Sequence, residues 1–440
     1  MEPKLEKIKS IRKSEIERLA VSPVKRKLKK IVYLLKYGMP FGKFIKYSLS
    51  YVFVIPFAKI KTNFNGKTIR EKYFGEGADA GTGDACYIAV NIGNAGIGDA
   101  IVAIRFLRDF ADLVSKDADG HLVFDVFYRS PDSIEFVTSP QPNIRRVLNL
   151  PDYELLNKFY DIDLRLNTFF IKEKINEASR KKLSDKFPAV LEIIENIKTN
   201  QFPLEKYIKT RPFSEGILSD AVKAMGLSRA VYLDNTAGIA TPADTLKINI
   251  DIYSAETITA KFNLQGVKFI TVHDGWDENT KTKTGSSTKS YPPQKWQELV
   301  SLLKHEFSDY TVVQLGGLGN GSDITGIDLN LRGKTTLKEA ASLLAASSLH
   351  IDTDSGLVHI AVSLGTPCAV LFGPTNVKYF SYNEVPNYIA VPPRLCGNCW
   401  WSADGWMETC PRGLNAPECM NSIEPLEIIN KIKINLNENK

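Results

Sequence analysis

No stretch of this sequence is apolar for long enough to cross a bilayer. The run Tyr47 to Ala58 (YSLSYVFVIPFA) is too short and is interrupted by Pro56. The first residues are charged, with no apolar core behind them, so no cleavable signal peptide is expected. The expectation is therefore a cytoplasmic protein, in which structural disulfides have little place. No nucleic-acid-binding motif appears and the basic cluster is short, which argues against a nucleic-acid partner. No internal repeat is found. The dinucleotide fingerprint G-x-G-x-x-G is missing as well. The loop Gly93-Asn94-Ala95-Gly96-Ile97-Gly98 spaces its glycines G-x-x-G-x-G, and no acidic residue closes a clear second strand.

Cysteine is scarce, at 6 of 440 residues. Cys86 and Cys368 fall inside apolar strands, as packed thiols do. The other four cluster as Cys396-Gly397-Asn398-Cys399, Cys410 and Cys419. This spacing favours a tetrahedral thiolate site for zinc or iron. Free thiols are the alternative. The segment is rich in Trp, Gly and Pro and too irregular to bury a core of its own, so a crosslinking metal would fix it.

The net charge of +6 is modest and uneven. Lys25, Arg26, Lys27, Lys29 and Lys30 carry much of the excess, just before the Tyr47–Ala58 run. Basic residues beside an aromatic patch suit the inner face of the cytoplasmic membrane. An N-terminal helical subdomain is the equal alternative.

The most informative stretch is Leu349 to Thr375, LHIDTDSGLVHIAVSLGTPCAVLFGPT. It reads as strand, polar turn, short apolar helix, strand and Gly-Pro-Thr loop. Asp354 or Ser355 would cap the helix. Gly356 would let a ligand approach the backbone, and Gly365 with Pro367 would end the helix. Such a turn at the C-terminal edge of a parallel sheet is where a nucleotide diphosphate would sit. His359 lies one turn in. Upstream, Cys86 to Ile92 reads as a buried strand, followed by a glycine loop, Asp99 and a helix faced by Ile101, Ile104, Leu107, Ala111 and Val114.

Alternating strands and helices argue a parallel sheet in each half. The expected division is a basic extension (1–83), a Rossmann-like half (84–245), a second one (246–390), the cysteine finger (391–422) and a closing helix (423–440). Further strands are expected at Leu122–Tyr128 and Tyr160–Leu166, and charged surface helices over Glu173–Gln201. A helix should start at Pro292-Pro293.

These motifs resemble glycosyltransferase family 9, the ADP-heptose:lipopolysaccharide heptosyltransferases. The likeness rests on Val272-His273-Asp274-Gly275, on Lys289-Ser290-Tyr291-Pro292 with Lys295-Trp296, and on Gln314-Leu315-Gly316-Gly317. Leu331-Arg332-Gly333-Lys334-Thr335 and Asp354-Ser355-Gly356 with the FGPT loop complete it. The Gly98-Asp99 pair is similar to the family's Gly-Asp, weaker evidence from the first half. The resemblance implies an α/β protein of GT-B type, with two Rossmann-like domains facing across a cleft and the last helix crossing back to the first. It implies an inverting transfer, with heptose from ADP-heptose as the favoured donor, to a hydroxyl on a protein or a lipid-linked glycan. Asp99 would be the catalytic base. Lys289, or Lys281 or Lys283 in its stead, would meet the diphosphate. Ser355 and the N–H groups of Gly356 and Leu357 would hold phosphate oxygens. Asp354, His273, His359, Gly316 and Gly317 would complete the donor site, without a catalytic metal. The finger, with Trp400, Trp401 and Trp406, resembles the autotransporter heptosyltransferases, whose finger holds iron and whose acceptor is protein. A homo-oligomer is compatible with all of this. A non-catalytic scaffold and a nucleotide-sugar epimerase are the competing readings.

Overall fold

The computed structural model describes residues 84–93, 95–116, 120–210, 215–241, 246–275, 287–319, 321–382, 385–401, 410–414 and 416–438. The basic extension, its membrane reading, Lys281, Lys283 and Trp406 lie outside these residues.

The first half is built on five strands, β1 (Ala85–Gly93), β2 (His121–Tyr128), β3 (Ile144–Asn149), β4 (Ile162–Asn167) and β5 (Phe170–Ile175). Their order is β3-β2-β1-β4-β5. The first four run parallel and β5 returns antiparallel to β4. Central β1 buries Cys86, Ile88, Ala89 and Val90 completely, as a strand covered on both faces must. Helix α1 (Ile97–Val114) follows it. Helices α2 (Pro188–Gln201) and α3 (Arg229–Ala237) also belong to this half. Within the expected helical stretch Glu173–Gln201, the first residues belong to β5. One face of α2, Val190, Ile193, Ile194 and Ile197, is buried, so it is a core helix.

The second sheet holds β6 (Lys268–His273), β7 (Tyr310–Gln314), β8 (Leu329–Asn330), β9 (Leu349–Thr353), β10 (Cys368–Leu371) and β11 (Tyr388–Val391). The order is β11-β10-β9-β6-β7-β8, all parallel. Helix α4 (Pro293–Glu306) buries Trp296, Leu299, Val300 and Leu303. Helix α5 (Leu337–Ala346) begins with a reciprocal cap between Thr336 and Glu339. Helix α6 (Gly356–Leu364) ends on Gly365, whose φ of 78° is left-handed. The last helix, α7 (Pro425–Glu438), does not cross to the first half as expected. It packs on α4, with Ile428, Ile429 and Ile432 fully buried in the core on that side of the second sheet.

Strand order reverses between β1 and β4 in one sheet and between β6 and β9 in the other. A crevice opens beyond the C-terminal ends of the strands at such a reversal. Here the two crevices face each other, because the N-terminus of α1 abuts the N-terminus of α6. A β-carbon on Gly356 would come within 2.3 Å of Ile97 Cγ2, and one on Gly98 within 2.3 Å of His359 Cδ2.

Candidate active site

The cleft between the halves encloses about 500 Å³. Its lining comes from the ends of the strands that flank both reversals. Gly96, Ile97, Gly98, Asp99 and Thr168 come from the first half. His273, Gly275, Lys289, Asp354, Ser355, Gly356 and His359 come from the second.

Asp99 stands in the first turn of α1. Thr168 Oγ1 donates to its Oδ1 at 3.3 Å, and Arg229 Nη2 at 3.2 Å. Arg229 opens α3 and is only 4 % exposed. Its Nε and Nη1 are buried and have no partner among the described residues. Thr375 Oγ1, in the Gly-Pro-Thr loop on the same cleft, is likewise buried and unpaired there. Donors and hydroxyls left unpaired at a cleft wall are costly unless an occupant completes them. Arg105 stabilises the arrangement from behind. It bonds Asp109 at 2.6 Å within α1 and Asp234 at 2.5 Å on α3, and also the Ala230 carbonyl.

On the opposite wall, Asp352 is a fully buried hub at the end of β9. His273 Nδ1 lies 2.9 Å from its Oδ2, His350 Nε2 3.3 Å from the same oxygen, and Gly275 N–H donates to Oδ1 at 3.1 Å. Burial alone would raise the Asp352 pKa. The facing His273 and His350 outweigh it and bring the carboxyl down to about 2. Burial would conversely lower His273, but the Asp352 carboxylate raises it above the ordinary value. His359 has no such partner. Burial outweighs the nearby Asp354 and Asp99 and lowers its pKa, and its Nδ1 meets the Tyr382 hydroxyl.

Ser355, not Asp354, caps α6. Its Oγ accepts the Leu357 N–H at 3.2 Å and donates to Asp352. The hydroxyl proton and the Leu357 N–H, both expected to face phosphate, are thereby used inside the protein. Leu357 itself is buried in the core. The Gly356 N–H at the tip of α6 remains for a ligand. Asp354 instead holds Lys289, whose Nζ donates to the Asp354 carbonyl at 2.8 Å and carboxylate at 3.0 Å. The ammonium also lies 3.9 Å from the centre of the Trp400 ring. Gly316 and Gly317 lie behind the cleft lining. Gly316, at φ 133°, lets the backbone pass His273, since a β-carbon would come within 2.9 Å of its ring. Gly317 is exposed.

Arg229, Thr168 and the hub Asp352 went unpredicted. Arg229 and Thr168 meet Asp99 only through the fold. Asp352 could have been found as an acidic residue on a strand that the sequence reads as buried.

The finger is closer to the cleft than its place in the chain suggests. Trp400 and Trp401 line it. The six cysteines are free thiols, and burial raises Cys419, with Cys396, Cys399 and Cys410 adding to the shift. Among the described residues, however, no group of three or more metal-binding side chains stands at ligating geometry. No described helix is long and apolar enough to cross a membrane.

Residues 279–391 match the model of glycosyltransferase family 9 (heptosyltransferase). The lipooligosaccharide heptosyltransferase 2 of Haemophilus influenzae is 45% identical over 51 residues, 12% of this chain and 15% of that protein. The matched stretch is therefore a small part of that relative's length. A family 9 glycosyltransferase structure from Veillonella parvula aligns with TM-score 0.52 and 15% identity, covering 82% of this chain and 100% of that one. The iron-containing dodecameric heptosyltransferase TibC of enterotoxigenic E. coli, solved with ADP-D-beta-D-heptose, aligns with TM-score 0.52 and 14% identity. That alignment covers 80% of this chain and 77% of TibC. Both structural likenesses are of fold.

Proposed function

We propose that the chain, whose residues 279–391 match the model of glycosyltransferase family 9 (heptosyltransferase), moves a heptosyl group from ADP-heptose to an acceptor hydroxyl by single displacement with inversion. One observation carries the reading. Asp99 from the first half and Lys289 with the α6 tip from the second line one cleft, although 190 positions separate Asp99 from Lys289.

The diphosphate would lie across the tips of α1 and α6, where unpaired N–H groups and the positive ends of both dipoles favour an anion. Lys289 spends two of three ammonium protons on Asp354. The third, with the Gly356 N–H, would take up charge that grows on the leaving phosphate. His273 and His359 would form the wall beside it. On the other side, Asp99 would accept the acceptor proton as the anomeric carbon captures the oxygen. The proton would pass to Asp99 late, once the new bond to the anomeric carbon is largely formed. Arg229 would keep the carboxylate oriented, its Nε and Nη1 completed by the acceptor or by water.

The four late thiols suit a tetrahedral iron or zinc site by donor chemistry and spacing. Cys396, Cys399, Cys410 and Cys419 would hold the metal, closing the finger further than the described residues stand. Its contribution would be structural. The acceptor would be a protein or a lipid-linked glycan, and association of several copies fits the same reading.

The test is ADP release from ADP-heptose, with acceptor extract, beside UDP-, GDP- and CMP-sugars. Release from ADP-heptose that disappears in Asp99→Asn, with ADP still bound, supports the proposal. Release from another donor discards the sugar. No release from any donor leaves a non-catalytic scaffold.

A further inference from the structure

We propose that Trp400 is a positioning residue for Lys289, so that the cysteine knuckle forms one wall of the anion site. The inference rests on the reading of the cleft as a diphosphate site. A lysine on a four-carbon stem has many rotamers, and holding it over one spot takes more than one contact. Asp354 supplies one side. The Trp400 indole supplies the other, its ring centre 3.9 Å from Nζ. The Lys289 side chain is only 15% exposed, so the attraction between cation and ring is little screened.

Trp400 is itself held at three points, one on the ring and two on its backbone. Its Nε1 donates to Thr288 Oγ1 at 3.0 Å, next door to Lys289. Its backbone N–H donates to the Pro374 carbonyl at 2.9 Å, in the Gly-Pro-Thr loop. Its carbonyl accepts from Lys223 Nζ at 3.1 Å, in the first half of the molecule. The knuckle that presents it has an unusual backbone. Cys396, Asn398 and Trp401 are non-glycine residues at φ 45°, 58° and 69°, and Gly397 sits at 122°. Left-handed residues in such a run persist only where the surroundings over-determine them. Gly397 is also pressed on the Gly373 carbonyl, 2.9 Å from where a β-carbon would stand. A tryptophan that merely filled a core would not need an indole N–H bond beside the lysine and a cation on its face together.

The test uses the full chain. The rate at which an acylating reagent modifies Lys289, read by mass spectrometry, reports its positioning without any ligand. Calorimetry with ADP reports the consequence. Trp400→Leu should raise Lys289 labelling several-fold and weaken ADP binding about tenfold. Trp400→Phe, which keeps a ring face but loses the indole N–H, should fall between wild type and Trp400→Leu. Thr288→Val, which removes the partner of the indole N–H, should give an intermediate labelling rate and serves if Trp400→Leu does not fold. The double variant Trp400→Leu with Lys289→Met should bind ADP little more weakly than Lys289→Met alone. Unchanged labelling in Trp400→Leu and Thr288→Val overturns the proposal, as do losses of ADP affinity that add in full. If the wild type binds no ADP, the diphosphate reading fails, and the labelling rates still decide the positioning role.

Discussion

Asp352 shows how one buried carboxylate can set the protonation of its neighbours. Its pKa is depressed to about 2 and that of His273 is raised. A raised histidine contributes stability that is full below its unfolded value near 6.5 and is lost as pH rises through the folded value. A depressed aspartate contributes above its unfolded value near 3.9 and is lost as pH falls toward 2. Their pairing is therefore worth most between about pH 4 and 6.5. Thermal melts of His273→Asn against wild type should differ more at pH 5.5 than at pH 8.5. Arg229 supports a second prediction. Arg229→Gln removes the charge that orients Asp99, so transfer should fall by about tenfold or more while ADP affinity holds, checked by kinetics beside calorimetry. His273, Lys289 and Ser355 were legible because each lies in a contiguous motif. Arg229 was not, because its meaning depends on a carboxylate 130 positions away. The roles of the Ser355 hydroxyl and the Leu357 N–H were misjudged for a related reason. A motif shows that donors are present, but only the fold shows that Asp352 and the cap have already engaged them.

At the scale of elements, the junction of α1 and α6 is the tightest constraint. Gly98→Ala must displace the His359 ring, and Gly356→Ala must displace Ile97. Overpacking of this kind costs about 1–3 kcal/mol, so each variant should melt a few degrees lower. Transfer should suffer more than stability, since the wedge lies between the two walls of the cleft. The cap of α5 gives a cleaner case. Thr336→Ala should cost about 1 kcal/mol in urea unfolding. Periodicity made α1, α4 and α6 legible, as apolar residues there recur on the face that is buried. It failed at β5, where Lys172, Glu173 and Lys174 suggested a solvated helix. That strand lies at a sheet edge, where exposure is tolerated and charge discourages further pairing. At α7 it gave the helix but not its place, since an apolar face fits either half equally well as a pattern. Contact with α4 decided between them.

For the whole molecule, the finger ties the halves together. Lys223 of the first half bonds the Trp400 carbonyl, and Trp401 meets Phe169 edge to face at 5.3 Å between ring centres. Trp400 also holds Thr288 of the second half. If the thiols carry a metal, purified protein should contain about one iron or zinc per chain by elemental analysis, and Cys396→Ser should lower both metal content and melting temperature. The two-sheet plan was legible because alternating strands and helices leave few topologies. The position of the finger at the cleft was not, since irregular chain carries no period from which to place it. One consequence of the α1 and α6 junction concerns pace. Arg229 and Lys289 are each matched by a carboxylate, Asp99 and Asp354. The two helix ends are left as like poles, each worth about half a positive charge. Whatever anion settles between them becomes the clasp of the molecule, and on the proposed reading that anion is also the spent product. Each cycle must then wait for its own clasp to leave, so the level of free nucleoside diphosphate would throttle the protein more than the supply of donor.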